Sequence, residues 1–219
     1  MIKAVIFDVD GVIIESAEIK TRAFEILFSD YPEKLPEIIN YHRKNGGISR
    51  YVKFRYFYEH ILGQELSAQE EAELGERFSQ IVLKQVLEAP LVSGAIEFLS
   101  QNENRYFLFV ASGTPEDELR KILTHRRLSQ FFLEAHGTPR NKADIIEDIL
   151  SRYSFMGKEV VFIGDAESDR AAAEKAGTLF IARITRENPQ LKDCRWQVSD
   201  LIGLDVLLQN MCHKEGDNQ

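Results

Sequence analysis

Only two cysteines, Cys194 and Cys212, occur among the 219 residues. They have neither the spacing of a zinc site nor the makings of a disulfide framework. No uninterrupted apolar run approaches the roughly 20 residues needed to cross a bilayer. There is no long basic block, and the formal net charge is −8 with a pI near 5.3, a poor balance for wrapping nucleic acid. No internal repeat or low-complexity tract stands out. Met1-Ile2-Lys3 runs straight into a strand-like segment and does not read as a signal peptide. These absences lead to the expectation of a cytoplasmic protein without nucleic-acid or membrane partners. What is present suffices for a core: 44% hydrophobic residues against 28% charged. That is enough for one sizeable domain with a modest insertion.

Short apolar runs recur along the chain: Lys3 to Asp8 (KAVIFD), Tyr106 to Ala111, Val160 to Gly164 and Thr178 to Arg183. Their β-branched and aromatic content reads as strands buried on both faces, with a further short strand around Glu134 to His136. Helical patterns separate them, with Leu119, Ile122 and Leu123 on one face and Ile145, Ile146, Ile149 and Leu150 on another. Thr114-Pro115-Glu116-Asp117 reads as a helix start with Thr114 as N-cap, and Gly177 as the end of a helix beginning near Glu167. The alternation predicts an α/β fold, an open parallel Rossmann-like sheet. From Glu15 to about Leu87 the pattern is helical alone. Ile19, Ala23, Ile26 and Leu27 share one spacing, Tyr51, Phe54, Tyr58 and Ile61 another, and Ser67 to Glu70 is a capping box ahead of Leu74, Phe78, Ile81 and Val82. The expected organisation is a core of residues 1–14 and 88–219 with an inserted helical cap of residues 15–87. Hinges are expected at Ile14 to Ser16 and Glu88 to Val92.

Ligands of open α/β sheets bind beyond the carboxyl ends of the strands. After the first strand come Asp8-Val9-Asp10-Gly11, and after the second Ser112-Gly113-Thr114. Lys142 opens a later helix, and Gly164-Asp165 is followed by Ser168 and Asp169. Singly these also describe a solvated loop, a turn, a surface lysine and a helix N-terminus. Jointly they place carboxylates, a hydroxyl and an ammonium on one edge.

In that order the four segments resemble the motifs of the haloacid dehalogenase superfamily, over essentially the whole chain. The helical insertion is similar to the cap of its phosphoglycolate phosphatase and β-phosphoglucomutase branch. The resemblance implies a Mg²⁺-dependent phosphatase acting on a small phosphorylated metabolite, such as a sugar phosphate, with Asp8 as the nucleophile that forms an aspartyl-phosphate. It implies Asp10 as general acid and base, and Ser112, Gly113 and Lys142 as holders of the phosphoryl oxygens. Magnesium ligands would be the Asp8 carboxylate, the Asp10 backbone carbonyl and Asp165, with Asp169 orienting a metal-bound water or Lys142. Asp10 sets the chain apart from the dehalogenases and from phosphonatases, which need a Schiff-base lysine in the cap, a role for which Lys44 and Lys53 are the candidates here.

Two alternatives stay open: a phosphomutase using the same aspartyl-phosphate, and a non-catalytic binder of phosphometabolites. Gly47-Ile48-Ser49-Arg50 resembles the substrate loop of β-phosphoglucomutases, where the arginine grips a second phosphate. The other reading of it is a helix start with Ser49 as cap and Arg50 solvated. Lys20 stands where those mutases carry a histidine, which favours hydrolysis, and is either a surface lysine or a contact to an anionic substrate. Glu15 replaces an Asp common at its position. Arg43, Lys44, Arg50, Lys53 and Arg55 form a cationic cluster, either a solvated face or an attraction for acidic sugar phosphates. The run Phe54, Tyr56, Phe57 and Tyr58 is expected in the cap core, with one ring able to face substrate. Arg140 is expected on a loop surface, and Cys212 and His213 in a fraying tail without metal. A monomer is expected.

Overall fold

The computed structural model describes residues 1–185 and 188–214. In chain order the elements are β1 (Ala4–Phe7), α1 (Ala17–Leu27), α2 (Leu35–Lys44), α3 (Arg50–Tyr56), α4 (Ala68–Glu88), α5 (Ala95–Asn102), β2 (Phe107–Pro115), α6 (Glu116–His125), β3 (Glu134–Thr138), α7 (Lys142–Tyr153), β4 (Val160–Gly164), α8 (Glu167–Ala176), β5 (Leu179–Arg183), β6 (Gln197–Val198) and α9 (Leu204–Lys214). The six strands form one parallel sheet in the order β3-β2-β1-β4-β5-β6. The chain leaves β1 in one direction for β2 and β3, then crosses back to β4, so the crevice beside β1 is the switch point of the sheet.

Alternation along the strands sorts their side chains into two layers. Ala4, Ile6, Phe109, Ala111, Val160 and Phe162 pack with Ile145, Ile146 and Ile149 of α7 and Ala172 and Ala173 of α8. Val5, Phe7, Leu108, Val110, Val161 and Ile163 face the other way, against Phe98, Leu119, Ile122 and Leu208 of α5, α6 and α9. This second layer is continuous with the helical block of α1 to α4, where Phe24, Phe28, Phe54, Phe57 and Phe78 are all buried. Phe24 meets Phe57 edge to face at 5.6 Å between centroids. Each such buried ring contributes about 1.5–3 kcal/mol through burial alone. The block's two connections to the sheet run side by side. Ile14 bridges Leu91, Glu15 N–H donates to Pro90 O at 3.0 Å, and Val92 N–H to Ile13 O at 2.9 Å.

Several local expectations are corrected. β2 continues to Pro115, so Pro115 is the N-cap residue of α6, and the Thr114 side chain is used elsewhere. Ile26 is 55% exposed, because α1 buries Thr21, Ala23, Phe24 and Leu27 instead. The two-residue β6 at the sheet edge has no apolar run to announce it. α9 takes in Cys212 and His213, whose side chains lie outside the described ones.

Candidate active site

The Asp8 N–H donates to Ile163 O at 2.9 Å, extending the β1–β4 ladder by one residue before the chain turns. The turn runs through Gly11, whose φ of +75° suits glycine, and a Cβ there would stand 2.1 Å from Asp165 Oδ2. Asp8 is buried. Its Oδ1 accepts from Val9 N–H at 2.7 Å, and its Oδ2 pairs with Lys142 Nζ at 2.8 Å. Lys142, the first residue of α7, is placed by Asn141, whose side chain caps the helix through the Asp144 N–H at 2.9 Å. The same ammonium donates to Asp169 Oδ1 at 2.5 Å. Asp169 is fully buried, and its Oδ2 accepts from the N–H groups of Asp165 (3.2 Å) and Ala166 (3.1 Å). Asp169 thus positions both Lys142 and the Asp165 loop.

Asp165 differs, since no donor among the described residues bonds its carboxylate, while its backbone carbonyl accepts from Asn188 Nδ2 at 2.5 Å. Burial pushes the Asp165 carboxyl well up, with Asp8 and Asp169 adding to it against Lys142. Burial likewise raises Asp8 to about 7; Lys142 opposes this, and Asp169 and Asp10 add to it. Burial works hardest against the Lys142 ammonium too, yet Asp169 and Asp8 hold it above its ordinary value. Two buried carboxylates and one half-buried carboxylate therefore crowd around one ammonium.

That imbalance is what a divalent cation relieves. Asp8, Asp165 and Asp169 each offer an oxygen, and the three atoms lie within 4.8 Å of one another. Asp8 and Asp165 face the open space between the sheet edge and the helical block and Asp169 does not, which makes Asp8 and Asp165 the carboxylates that fit a hard cation with oxygen ligands. The Asp10 carbonyl accepts no hydrogen bond among the described residues and lies on the same loop.

The Asp10 carboxylate turns away from this cluster. Its Oδ1 accepts from Ser16 Oγ at 2.6 Å, and its Oδ2 from Thr114 Oγ1 at 2.9 Å and from the Lys20 ammonium. Burial opposes its ionisation, but Lys20, helped by the Ser16 and Thr114 hydroxyls, outweighs burial and holds Asp10 below its ordinary value. Lys20 is therefore not a solvated surface lysine, and two of its three N–H donors are engaged by Asp10 and Thr114. Thr114 and Ser16 were missed in the sequence because a hydroxyl after a strand and one before a helix both look like caps.

Ser112 is buried, its Oγ accepting from Thr114 N–H at 3.1 Å. Gly113 lies against the Gly46-Gly47 loop of the helical block, where a Cβ would come within 2.4 Å of Gly47 O. Ser168 Oγ donates to Gly46 O at 2.5 Å, so the same loop is tied to the start of α8. Glu15, on the first connection, pairs with Arg183 at 2.6 Å, and Arg183 also donates to Gly11 O at 2.7 Å, bracing the turn after Asp8.

The cationic cluster does not form a single face. Arg43, Lys44 and Arg55 are exposed, Arg55 pairing with Glu71 at 2.6 Å. Arg50 and Lys53, three residues apart on α3, point inward and are buried. Arg50 is not solvated: it donates to Glu118 Oε1 and Ser79 Oγ at 2.8 Å each and lies 4.5 Å from the Phe78 centroid. Ser49 is at the helix start but makes no side-chain cap bond. Arg140 faces outward to Asp148 at 3.1 Å.

A cavity of about 110 Å³ lies between the sheet edge and the helical block. Asp8, Asp10 and Asp165 line it from one side and Lys20, Arg50 and Lys53 from the other. The rings facing it are Phe24 and Phe78, not those of the run from Phe54 to Tyr58.

The family model of haloacid dehalogenase-like hydrolases matches residues 2–177. The chain is similar to a phosphoglycolate phosphatase of Aliivibrio fischeri, with 24% identity over 186 residues, 80% of this chain and 81% of the relative. The solved β-phosphoglucomutase of Clostridium difficile has a TM-score of 0.79 at 19% identity, over 98% of this chain and 99% of that one. CbbY of Rhodobacter sphaeroides, solved in complex with phosphate, has a TM-score of 0.73 at 18% identity, over 93% and 96%. At such identities the two structures share the fold.

Proposed function

The chain belongs to the haloacid dehalogenase-like hydrolase family, and on that premise we propose that it is a Mg²⁺-dependent phosphatase of a small phosphorylated metabolite. Asp8 is its nucleophile, and residues 15–87 are the cap that closes over the site. The observation carrying this reading is the convergence of Asp8, Asp165, Asp169 and Lys142 on one buried edge with Asp10 beside them. Its surplus of negative charge calls for a cation.

In this reading a carboxylate oxygen of Asp8 attacks phosphorus and the bond to the leaving oxygen breaks, leaving an aspartyl-phosphate. Lys142, the Ser112 hydroxyl and the Gly113 N–H hold the transferring oxygens. Magnesium, held by Asp8, Asp165 and the Asp10 carbonyl, would supply the positive charge that lets an anion approach a dianion. Asp10 in its protonated form gives the leaving alkoxide a proton. As a carboxylate it takes one from the water that attacks the aspartyl-phosphate, and Asp8 is released ionised. The Lys20 ammonium favours the carboxylate form of Asp10, which is the form that activates the attacking water.

The test is phosphate release from a panel of phosphorylated metabolites, with and without Mg²⁺, using Asp8→Asn protein as the blank. Release that needs the metal and vanishes in the variant is expected. Equal turnover by Asp8→Asn would overturn the scheme, and conversion of a hexose 1-phosphate without release would point to the mutase.

A further inference from the structure

Thr114 is 1% exposed and ends the segment Ser112-Gly113-Thr114, where the pairing of β2 with β3 slips. Ala111 stands opposite His136 and Pro115 opposite Thr138, so these three residues of β2 face Gly137 alone. A bulge of this kind re-aims the side chains within it. Gly137 makes room for it, since a Cβ there would collide with Thr114 O. The Thr114 side chain makes no cap bond to α6 and reaches the loop after β1 instead.

Both polar ends of Thr114 are engaged in the site. Its N–H donates to Ser112 Oγ at 3.1 Å, and the Ser112 proton has no acceptor among the described residues. Ser112 is thus held by one lone pair with its proton left for a phosphoryl oxygen. The Thr114 hydroxyl donates to Asp10 Oδ2 at 2.9 Å and accepts from Lys20 Nζ at 2.8 Å. The other two donors to the Asp10 carboxylate are Ser16, on the first connection, and Lys20, on α1. Both belong to the helical block and its hinge. Among the described residues Thr114 is therefore the one side chain of the sheet domain that bonds the Asp10 carboxylate, and it does so two residues from Ser112.

We propose that Thr114 is a positioning residue of the reaction. It ties the Asp10 carboxyl to the sheet domain beside the Ser112 hydroxyl, so that the proton carrier and the transferring phosphoryl group keep one relative placement while Ser16 and Lys20 move with the helical block. Thr114 acts through Asp10, and the assignment rests on the phosphatase reading above.

Two variants isolate the hydroxyl. Thr114→Val keeps the shape and the N–H bond to Ser112 but loses the bond to Asp10, whereas Thr114→Ser keeps both. Each is compared with wild type in kcat/KM, with Mg²⁺, on the best alkyl phosphomonoester of the panel and on para-nitrophenyl phosphate. An alkoxide needs a proton to leave and a nitrophenolate does not, so a misplaced Asp10 slows the first ester more than the second. Thr114→Val is expected to lose about ten- to a hundredfold on the alkyl ester and less than about threefold on the aryl ester, with Thr114→Ser within about threefold of wild type on both. Wild-type rates in Thr114→Val, an equal loss on the two esters, or an equal loss in Thr114→Ser each overturn the proposal. A wild type that hydrolyses neither ester defeats the phosphatase reading instead. Crystal structures of the wild type and of Thr114→Val then read the positioning without turnover. An Asp10 carboxylate bonded to Thr114 in wild type and swung, or split between orientations, in Thr114→Val supports the role. One unmoved orientation overturns it.

Discussion

Lys20, one turn into α1, is ion-paired with Asp10 on the loop after β1, and its ammonium also stands 2.8 Å from Thr114 Oγ1 at the end of β2. One cation of the helical block thus joins the two strand ends that frame the site. Lys20 favours the ionised form of Asp10, so removing it raises the Asp10 pKa. If ionised Asp10 is the base, Lys20→Met moves the acidic limb of the pH–rate profile upward and slows turnover, by about ten- to a hundredfold at neutral pH. A profile with its acidic limb unmoved would disconnect Lys20 from the chemistry.

Metal-free stability is expected to fall as pH rises across the window set by Asp8. Its folded value of about 7 lies above the unfolded value of 3.8. Between these the folded state binds more protons, so raising the pH weakens it. A cation on Asp8 and Asp165 removes that penalty. The rise in Tm on adding Mg²⁺ should therefore be larger at pH 8 than at pH 5, and smaller in Asp8→Asn protein. Scanning calorimetry at the two pH values decides this, and an increment independent of pH would argue against a metal on Asp8.

The buried pair between Arg50 on α3 and Glu118 on α6 holds the helical block against the sheet domain, with Ser79 Oγ donating to Glu118 at 2.7 Å. Glu118→Ala strands the guanidinium and is expected to cost about 3–5 kcal/mol. The loss reads out as a lower midpoint in urea and as faster proteolysis near the connections at residues 14–16 and 88–92. A midpoint equal to wild type would show that Arg50 finds another partner.

Closure of the Gly46-Gly47 loop depends on the bare backbone at Gly113. Gly113→Ala puts a methyl group within 2.4 Å of Gly47 O, so the loop must lift. The expected result is a rise in KM of about tenfold or more, with Tm changed by only a few degrees. Steady-state kinetics and a melt check both halves.

By itself the sequence determined five of the six strands, most of the core around them and the position of each motif. Apolar runs such as Val160 to Gly164 are too short and too uniformly apolar for anything but strands buried on both faces. A polar residue just after such a strand has nowhere to go but the carboxyl edge, which is why Asp8, Ser112 and Asp165, ambiguous singly, were legible together. Only the tertiary structure decided the partners of the long polar side chains. Asp10 and Thr114 are 104 residues apart, and Arg50 and Glu118 are 68 apart. Nothing in local spacing says that Lys20 reaches Asp10, or that Lys53 turns inward while Arg55 turns out to Glu71. Periodicity reports which face of a helix is apolar. A buried cation is held on that face by partners the fold brings from elsewhere, Glu118 and Ser79 for Arg50 and His42 for Lys53.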